Sequence, residues 1–358
     1  MSLRFARLFA SRSRSLGVWS DFKSRSSSLK LLDEKLHKDL FEGSSESGPA
    51  SIADKSVRAG YHSPPLIDDV FKLAYNELEE NSQKIYSQIA SEKLSTKKLE
   101  QLLAKAEETN PEVLHNVTYN LENVDRSQPV YRRYLQKKWE SYALMVTMQR
   151  LEQLHVIPDT LPTLEPAVDV RIKFGHNSKG EFSDWVVPGA KLPAFAVEMP
   201  PTIEIQEFSI PEEHSGLYSV LLVNPDTPDL ETNSFRTTLN YGLHNVPLTY
   251  TENTITPGKL LTNPQWIFKK YQPLLPEKNA PTQRACLWVF RQEKELSAVD
   301  FNSEDFDIRS FADTNNLTAV GAHVWRQDFD RSVNQVREKY GLPKGNVYHR
   351  VRGTTPLL

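Results

Sequence analysis

The stretch Leu217–Pro228, LYSVLLVNPDTP, decides how the rest of the chain is read. Tyr218, Val220, Leu221, Leu222 and Val223 form an aromatic, aliphatic and β-branched run with almost no polar interruption. Such a run suits a strand buried on both faces better than one with a wet side. Pro225 and Pro228 have no N–H to give to a ladder, so the strand is expected to end at Asn224, with Asp226 and Thr227 in the turn. Taken alone, these residues make a turn after a core strand.

A second core run follows the segment Pro281-Thr282-Gln283-Arg284. It is Ala285–Phe290, ACLWVF, bounded by Arg291. Shorter runs at Val168–Phe174, Ala194–Val197, Thr202–Phe208, Thr237–His244 and Val320–Trp325 are separated by Pro, Gly and Asn. Short strands in this number, with turn signals between them, argue a β-sandwich or related all-β core. Asp328–Tyr340 returns to a helical period, with Phe329, Val333, Val336 and Tyr340 as its inner stripe. The single cysteine, Cys286, lies inside an apolar strand and reads as a small buried hydrophobe. It excludes an internal disulfide framework.

The N-terminal side is different in kind. Residues 1–20 carry Arg4, Arg7, Arg12 and Arg14, several serines and no acid, with Leu3, Phe5, Leu8 and Phe9 interleaved. An Arg- and Ser-rich, acid-free amphipathic start is the composition of a mitochondrial presequence. Its removal would take the formal charge from −3 to −7, because four arginines leave. Residues 21–65, rich in Ser, Gly and charge, read as an extended arm or linker. From 66 to 164 the period is mainly helical. Leu66, Val70, Leu73, Ile85 and Ile89 make one stripe that Glu77 interrupts. A break near Leu94-Ser95-Thr96 opens a second helix capped by Ser95, with Leu99, Leu102, Leu103 and Ala106 as its stripe. Tyr131–His155 reads as a further helix with Arg132, Arg133, Lys137 and Lys138 on its first turns. Cations at a helix start oppose the macrodipole, so an anionic partner such as RNA is one reading and a solvated basic face the other. Residues 342–358 form a basic tail in which Lys344, Tyr348, Arg350 and Arg352 suit phosphates and a stacked base, or simply a mobile terminus.

Composition narrows the function. The 358 residues carry a net charge of −3, so no global basic field marks a DNA-binding protein. No apolar run is long enough for a membrane span. The sequence has no Gly-rich phosphate loop, no zinc-spaced cysteine pair, no His-Glu-x-x-His and no nucleophile elbow. No cofactor or metal is therefore expected, nor an enzyme.

The two core runs together resemble the phosphatidylethanolamine-binding protein family. There one core strand ends in Asp-Pro-Asp-x-Pro, and another is opened by Gly-x-His-Arg before an aromatic-rich run. Between them a Trp-His pair follows an aromatic-Arg dipeptide; here Phe235-Arg236 leads into Thr237-Thr238-Leu239-Asn240-Tyr241. Phe311-Ala312 and Gly321-Ala322-His323-Val324-Trp325 extend the likeness over roughly residues 165–341. The resemblance implies an α+β chain: a helical and extended N-terminal half, then a phosphatidylethanolamine-binding-like sandwich with a C-terminal helix. It also implies a pocket at Asn224, Asp226, Asn240, Gln283 and Arg284. Asn224 stands at the family's first aspartate, Asn240 at its anion-contacting histidine, and Gln283 at the histidine of the second motif, while Asp226 and Arg284 are kept. Neutral amides satisfy a polar cavity but offer no imidazolium to a phosphate. No small-molecule ligand is expected, and Asp226 and Arg284 are expected to form an ion pair.

A presequence, a helical N-terminal half, an amide-substituted pocket and a basic tail together are similar to the members of this family built into mitochondrial large ribosomal subunits. That likeness implies a structural role near the central protuberance, with ribosomal proteins and large-subunit rRNA as partners. The competing expectation is a free mitochondrial module that binds a small anion, a lipid or an inhibited enzyme.

Overall fold

The computed structural model describes residues 52–62, 64–91, 94–119, 121, 124–175, 180–210, 216–296 and 301–349. The expected presequence lies outside them, as do Arg350 and Arg352. The chain falls into two compact units, one up to Lys137 and one from Lys138 on.

Part of the expected arm is helical. Helix α1, Lys55–Ala59, starts on the Asp54 carboxylate, which accepts from the Ser56 amide at 2.8 Å. The expected helices then follow as α2, Ile67–Ser91, and α3, Thr96–Glu107. Ser95 sits at the N-cap position of α3, but its side chain makes no cap bond. Leu103 and Ala106 of the predicted stripe are buried. α2 meets α3 where Tyr86 Oη donates to Glu107 Oε1 at 2.6 Å, and Asn110 Nδ2 donates to Oε2 at 2.7 Å. Helices α4, Pro111–Tyr119, and α5, Pro129–Lys138, enclose Val113, Val124, Val130 and Tyr131.

In the second unit, Trp139–Ala143 is one π-helical turn, followed by α6, Leu144–Gln153. The helix expected over Tyr131–His155 is thus α5, a π turn and α6. The extra residue per turn rotates the later side chains relative to a regular 3.6 period. Trp139 packs its ring 5.2 Å from that of Phe208.

The sandwich has two antiparallel sheets. Strands β1, Val168–Lys173, β2, Thr202–Glu207, and β5, Thr254–Ile255, form the smaller, in the order β1-β2-β5. β3, Leu217–Asp229, β4, Ser234–Pro247, β6, Ile267–Lys269, β7, Gln283–Gln292, and β8, Leu317–Gln327, form the larger, in the order β6-β4-β3-β7-β8. Helices α7, Pro257–Thr262, α8, Ile308–Thr314, and α9, Val333–Lys339, complete the unit.

The central strands explain the unbroken apolar runs. Val220, Leu222, Ala285, Leu287 and Val289 face the smaller sheet. Leu221, Val223, Cys286, Trp288 and Phe290 face a second core built by Leu151, Val156, Leu161 and the segment Phe306–Ala312. With both sides of β3 and β7 dry, alternation has no place in their sequences. Where the sheets cross, Gly321 is needed: a Cβ there would stand 2.6 Å from methyl groups of Val168 and Val170.

Several expectations are corrected. Ala194–Val197 is a turn, closed by Ala196 N donating to Pro193 O at 3.0 Å. β3 does not stop at Asn224: after a bulge its pairing with β4 resumes at Thr227↔Arg236 and runs to Asp229↔Ser234. Pairing with β7 ends earlier, at Val223↔Cys286. From there β3 is laddered on one side only, and an edge tolerates proline. The C-terminal helix is shorter than Asp328–Tyr340. Asp330 accepts from Ala194 N at 2.7 Å and from Ser332 N at 2.6 Å, which holds the preceding residues out of the helix.

Candidate functional site

The site forms where β3 and β7 part. The β3–β7 ladder ends at Val223↔Cys286, and beyond it Asn224 and Gln283, three residues before Cys286, meet through their side chains. Asn224 Nδ2 donates to Gln283 Oε1 at 3.2 Å and to Thr227 Oγ1 at 3.1 Å, while Asn224 Oδ1 accepts from the Asp226 amide at 3.0 Å. Thr227 and Thr238 hydroxyls lie 2.9 Å apart, and Thr238 Oγ1 donates to Asn240 Oδ1 at 3.1 Å. Asn240 Nδ2 then donates to Gln272 O at 3.1 Å. Since Thr238 spends its proton on Asn240, the Thr227 hydroxyl is the donor between the two threonines. A directional hydrogen-bond chain therefore runs from Asn224 through Thr227, Thr238 and Asn240 to Gln272, and Asn224 also donates the other way to Gln283.

This chain floors a cavity of about 790 Å³. Asn224, Asn240 and Gln283 line it, and all three are buried. Its cations are mostly spoken for. Arg337 approaches Glu277 at 3.7 Å and donates from Nε to Pro343 O at 2.9 Å; Arg236 lies 3.9 Å from Glu304. Lys269 also reaches the wall.

Asp226 and Arg284 are not among the residues lining the cavity; they lock the strand ends together. Nε and the backbone amide of Arg284 both donate to Asp226 Oδ2 at 2.8 Å, and Nη2 donates to Oδ1 at 2.6 Å. Nη1 reaches Leu154 O and Asp159 Oδ2, each at 2.7 Å. The bonds to Asp226 raise the guanidinium pKa still further, so its charge is permanent. Arg309 holds the same segment from another side, donating to Thr160 O at 2.9 Å. Thr160 Oγ1 in turn accepts from Trp288 Nε1 at 3.1 Å. Sequence reasoning found the Asp226–Arg284 pair but missed Asp159, which no motif flags.

The cation sets separate. Arg132 was expected among surface contacts, but its side chain is 3% exposed and bound to Glu100 Oε1 at 2.8 Å and to the carbonyls of Arg126 and Ser127. It is a brace inside the helical unit. Lys137 and Arg133 are exposed yet share Glu108, at 2.8 and 3.7 Å. Those two cations and the hydrogen bond from Lys137 hold the Glu108 carboxyl below its usual pKa. Lys138 is exposed.

The tail is also corrected. Val347 bridges to Lys278, Tyr348 N donates to Lys278 O at 3.0 Å, and Asn279 Nδ2 donates to Tyr348 O at 2.8 Å. Burial and a hydrogen bond to Glu277 push the Tyr348 phenol up to about 12. Tyr348 is thus part of the cavity wall and not a free ring for stacking, while Lys344 is exposed. Leu342, Pro343 and Asn346 of the same strap complete that side.

Residues 182–328, which take in most of this two-sheet antiparallel sandwich and the strands that bear the pocket, match the family model Phosphatidylethanolamine-binding protein, so this part of the chain is a phosphatidylethanolamine-binding-like domain. Over 295 residues the chain is 26% identical to the large ribosomal subunit protein mL38 of Schizosaccharomyces pombe, covering 80% of this chain and 90% of that protein. Among solved structures, the phosphatidylethanolamine-binding protein from Plasmodium vivax aligns with a TM-score of 0.40 at 17% identity, over 51% of this chain and 98% of its own. The carboxypeptidase Y inhibitor, solved with its cognate proteinase, aligns with a TM-score of 0.40 at 13% identity, over 52% of this chain and 96% of its own.

Proposed function

We propose that the protein is a structural constituent of the mitochondrial large ribosomal subunit. The observation that carries this is the extent of the likeness to mL38. It spans 90% of that relative and 80% of this chain, far more than the 182–328 segment that matches the family model. The helical unit is therefore shared, as well as the sandwich.

The pocket supports the same conclusion. Asn224, Thr227, Thr238 and Asn240 spend their hydrogen bonds on one another and on Gln283 and Gln272. A floor satisfied from within has little to gain from a ligand, and its amides cannot exchange a proton at neutral pH. The role is scaffolding rather than catalysis. Ribosomal proteins and large-subunit rRNA are the partners, and the central protuberance the place. Residues 1–20 direct import to the matrix. Exposed Arg133, Lys137, Lys138 and Lys344 offer local contacts to phosphates, which a net acidic chain tolerates at a periphery.

The cavity of about 790 Å³ favours a second reading, a free module holding a small lipid or anion. Sedimentation separates the two. The tagged protein in mitochondrial extract at moderate salt is expected in the large-subunit fractions, and deletion of residues 1–20 is expected to leave it in the cytosol. A protein found only at the top of the gradient overturns the scaffold.

A further inference from the structure

Helix α2 carries two different apolar faces. At about 100° per residue, Ser82, Ile85, Tyr86 and Ile89 fall on one side of its C-terminal half, and that side meets α3. Val70, Leu73, Glu77 and Glu80 fall together on a side turned roughly 150° away. α3 therefore has no means of covering them, however far it is extended. Val70 and Leu73 are 61% and 73% exposed, and Leu66, just before the helix, is 72% exposed. Glu77 and Glu80 on the same face are exposed too.

We propose that this face of α2 docks a basic protein, with Val70 and Leu73 in an apolar groove and Glu77 and Glu80 against lysines or arginines on its rim. The inference rests on the scaffold reading and names the chemistry of one neighbour within it. An exposed stripe at helical spacing is the form in which a helix enters a groove. Charge selects the occupant. Between Ile67 and Asn81 the sequence has Asp68, Asp69, Glu77, Glu79 and Glu80 against Lys72. Phosphates are repelled by such a segment, which excludes RNA. A second copy, docked face to face about a two-fold axis, sets the same carboxylates against each other. A basic protein meets neither obstacle.

The test places a photoreactive residue at position 73 of the full chain in mitochondria, with a second at exposed Leu261 as a reference. After irradiation and nuclease treatment, the position-73 adduct is expected to be a ribosomal protein, joined at an apolar peptide flanked by Lys or Arg. The double substitution Glu77→Lys, Glu80→Lys is expected to lower its yield at least tenfold, with the position-261 adducts unchanged. Substituting exposed residues leaves the helix content intact, which circular dichroism verifies. An adduct with RNA, with a second copy or with the chain's own N-terminal residues overturns the proposal, as does no adduct or one indifferent to the charge reversal. Sedimentation in the same extract keeps the two readings apart. A charge-sensitive basic adduct on a protein that is off the ribosome preserves the docking face and discards the scaffold.

Discussion

Arg284 grips Asp226 through both carboxylate oxygens while its remaining nitrogen holds Asp159 and the Leu154 carbonyl. One guanidinium thus binds a strand end to the chain that crosses in front of it. The Arg284 and Asp226 side chains are 17% and 15% exposed, so each depends on the other for its solvation. Arg284→Ala leaves Asp226 with the residue-284 amide, whereas Asp226→Ala leaves Arg284 with Asp159. The first is expected to cost more, about 2–4 kcal/mol, and the double variant less than the sum of the singles. Urea melts of the three variants measure this; strictly additive losses refute the coupling.

Pocket substitutions are expected to act on stability alone. Asn240→Ala takes the side-chain donor from the Gln272 carbonyl and the acceptor from the Thr238 hydroxyl proton, and Gln283→Ala takes the acceptor from one Asn224 N–H. Each is expected to cost roughly 1–3 kcal/mol. Large-subunit association and mitochondrial translation are expected to stay near wild type. Arrested translation from a folded, ribosome-bound variant contradicts this.

Acid sensitivity is expected to centre on His323. Its ring is fully enclosed, Nε2 lies 3.0 Å from Val186 O, and desolvation lowers its pKa to about 4. The unfolded chain takes up this proton near pH 6.5 and the folded chain only near 4. Its contribution to stability is thus complete above 6.5 and drains away as the pH falls toward 4, by about 2 kcal/mol between pH 7 and 5. His323→Leu is expected to lower stability overall but to flatten that slope. An unchanged slope assigns the acid sensitivity elsewhere.

The basic residues of α5 are expected to divide by burial. Arg132→Gln removes a buried brace, and a loss of about 3 kcal/mol is expected in thermal unfolding. Lys138→Gln is expected to leave the melt within about 0.5 kcal/mol, as surface changes do. Any role of Lys138 in RNA contact then appears only as weaker retention on the large subunit at raised salt. A melt indifferent to Arg132 removes the distinction.

How much was legible depended on how far each signal lay from its partner. The runs at 218–223 and 285–290 announced core strands because both their faces are dry, and local pattern suffices for that. The bulge that carries β3 on to Asp229 was hidden, because proline marks a lost donor but not which edge of the strand is free. Ala194–Val197 had strand-like composition, yet its turn is fixed by Asp330, 136 residues later. Within the site, Asp226 and Arg284 were paired correctly from the motif that places them together. Asp159 and Arg337 reach the same region from distant segments with unremarkable sequence, Tyr348 was read as a stacking ring of the tail and lines the cavity instead, and Arg132 gave no sign that its charge turns inward.

The crossing segment from Leu151 to Leu161 bears on where this domain begins. Leu151, Val156 and Leu161 are buried against Trp288 and Phe290, and Thr160 satisfies the Trp288 indole. All of them precede residue 182, where the family match starts. A fragment trimmed to 182–328 would keep Phe306–Ala312 on this side of the central sheet but uncover the part that Leu151, Val156 and Leu161 shield, and would leave the Trp288 indole N–H and the Arg309 guanidinium without their acceptors at 158–160. Such a fragment would be sticky and prone to self-association, and ligand titrations on it would report the wound rather than the pocket. Expression boundaries for this protein belong upstream of Trp139 and downstream of Tyr348, where the last core side chain and the last strap hydrogen bond are both retained.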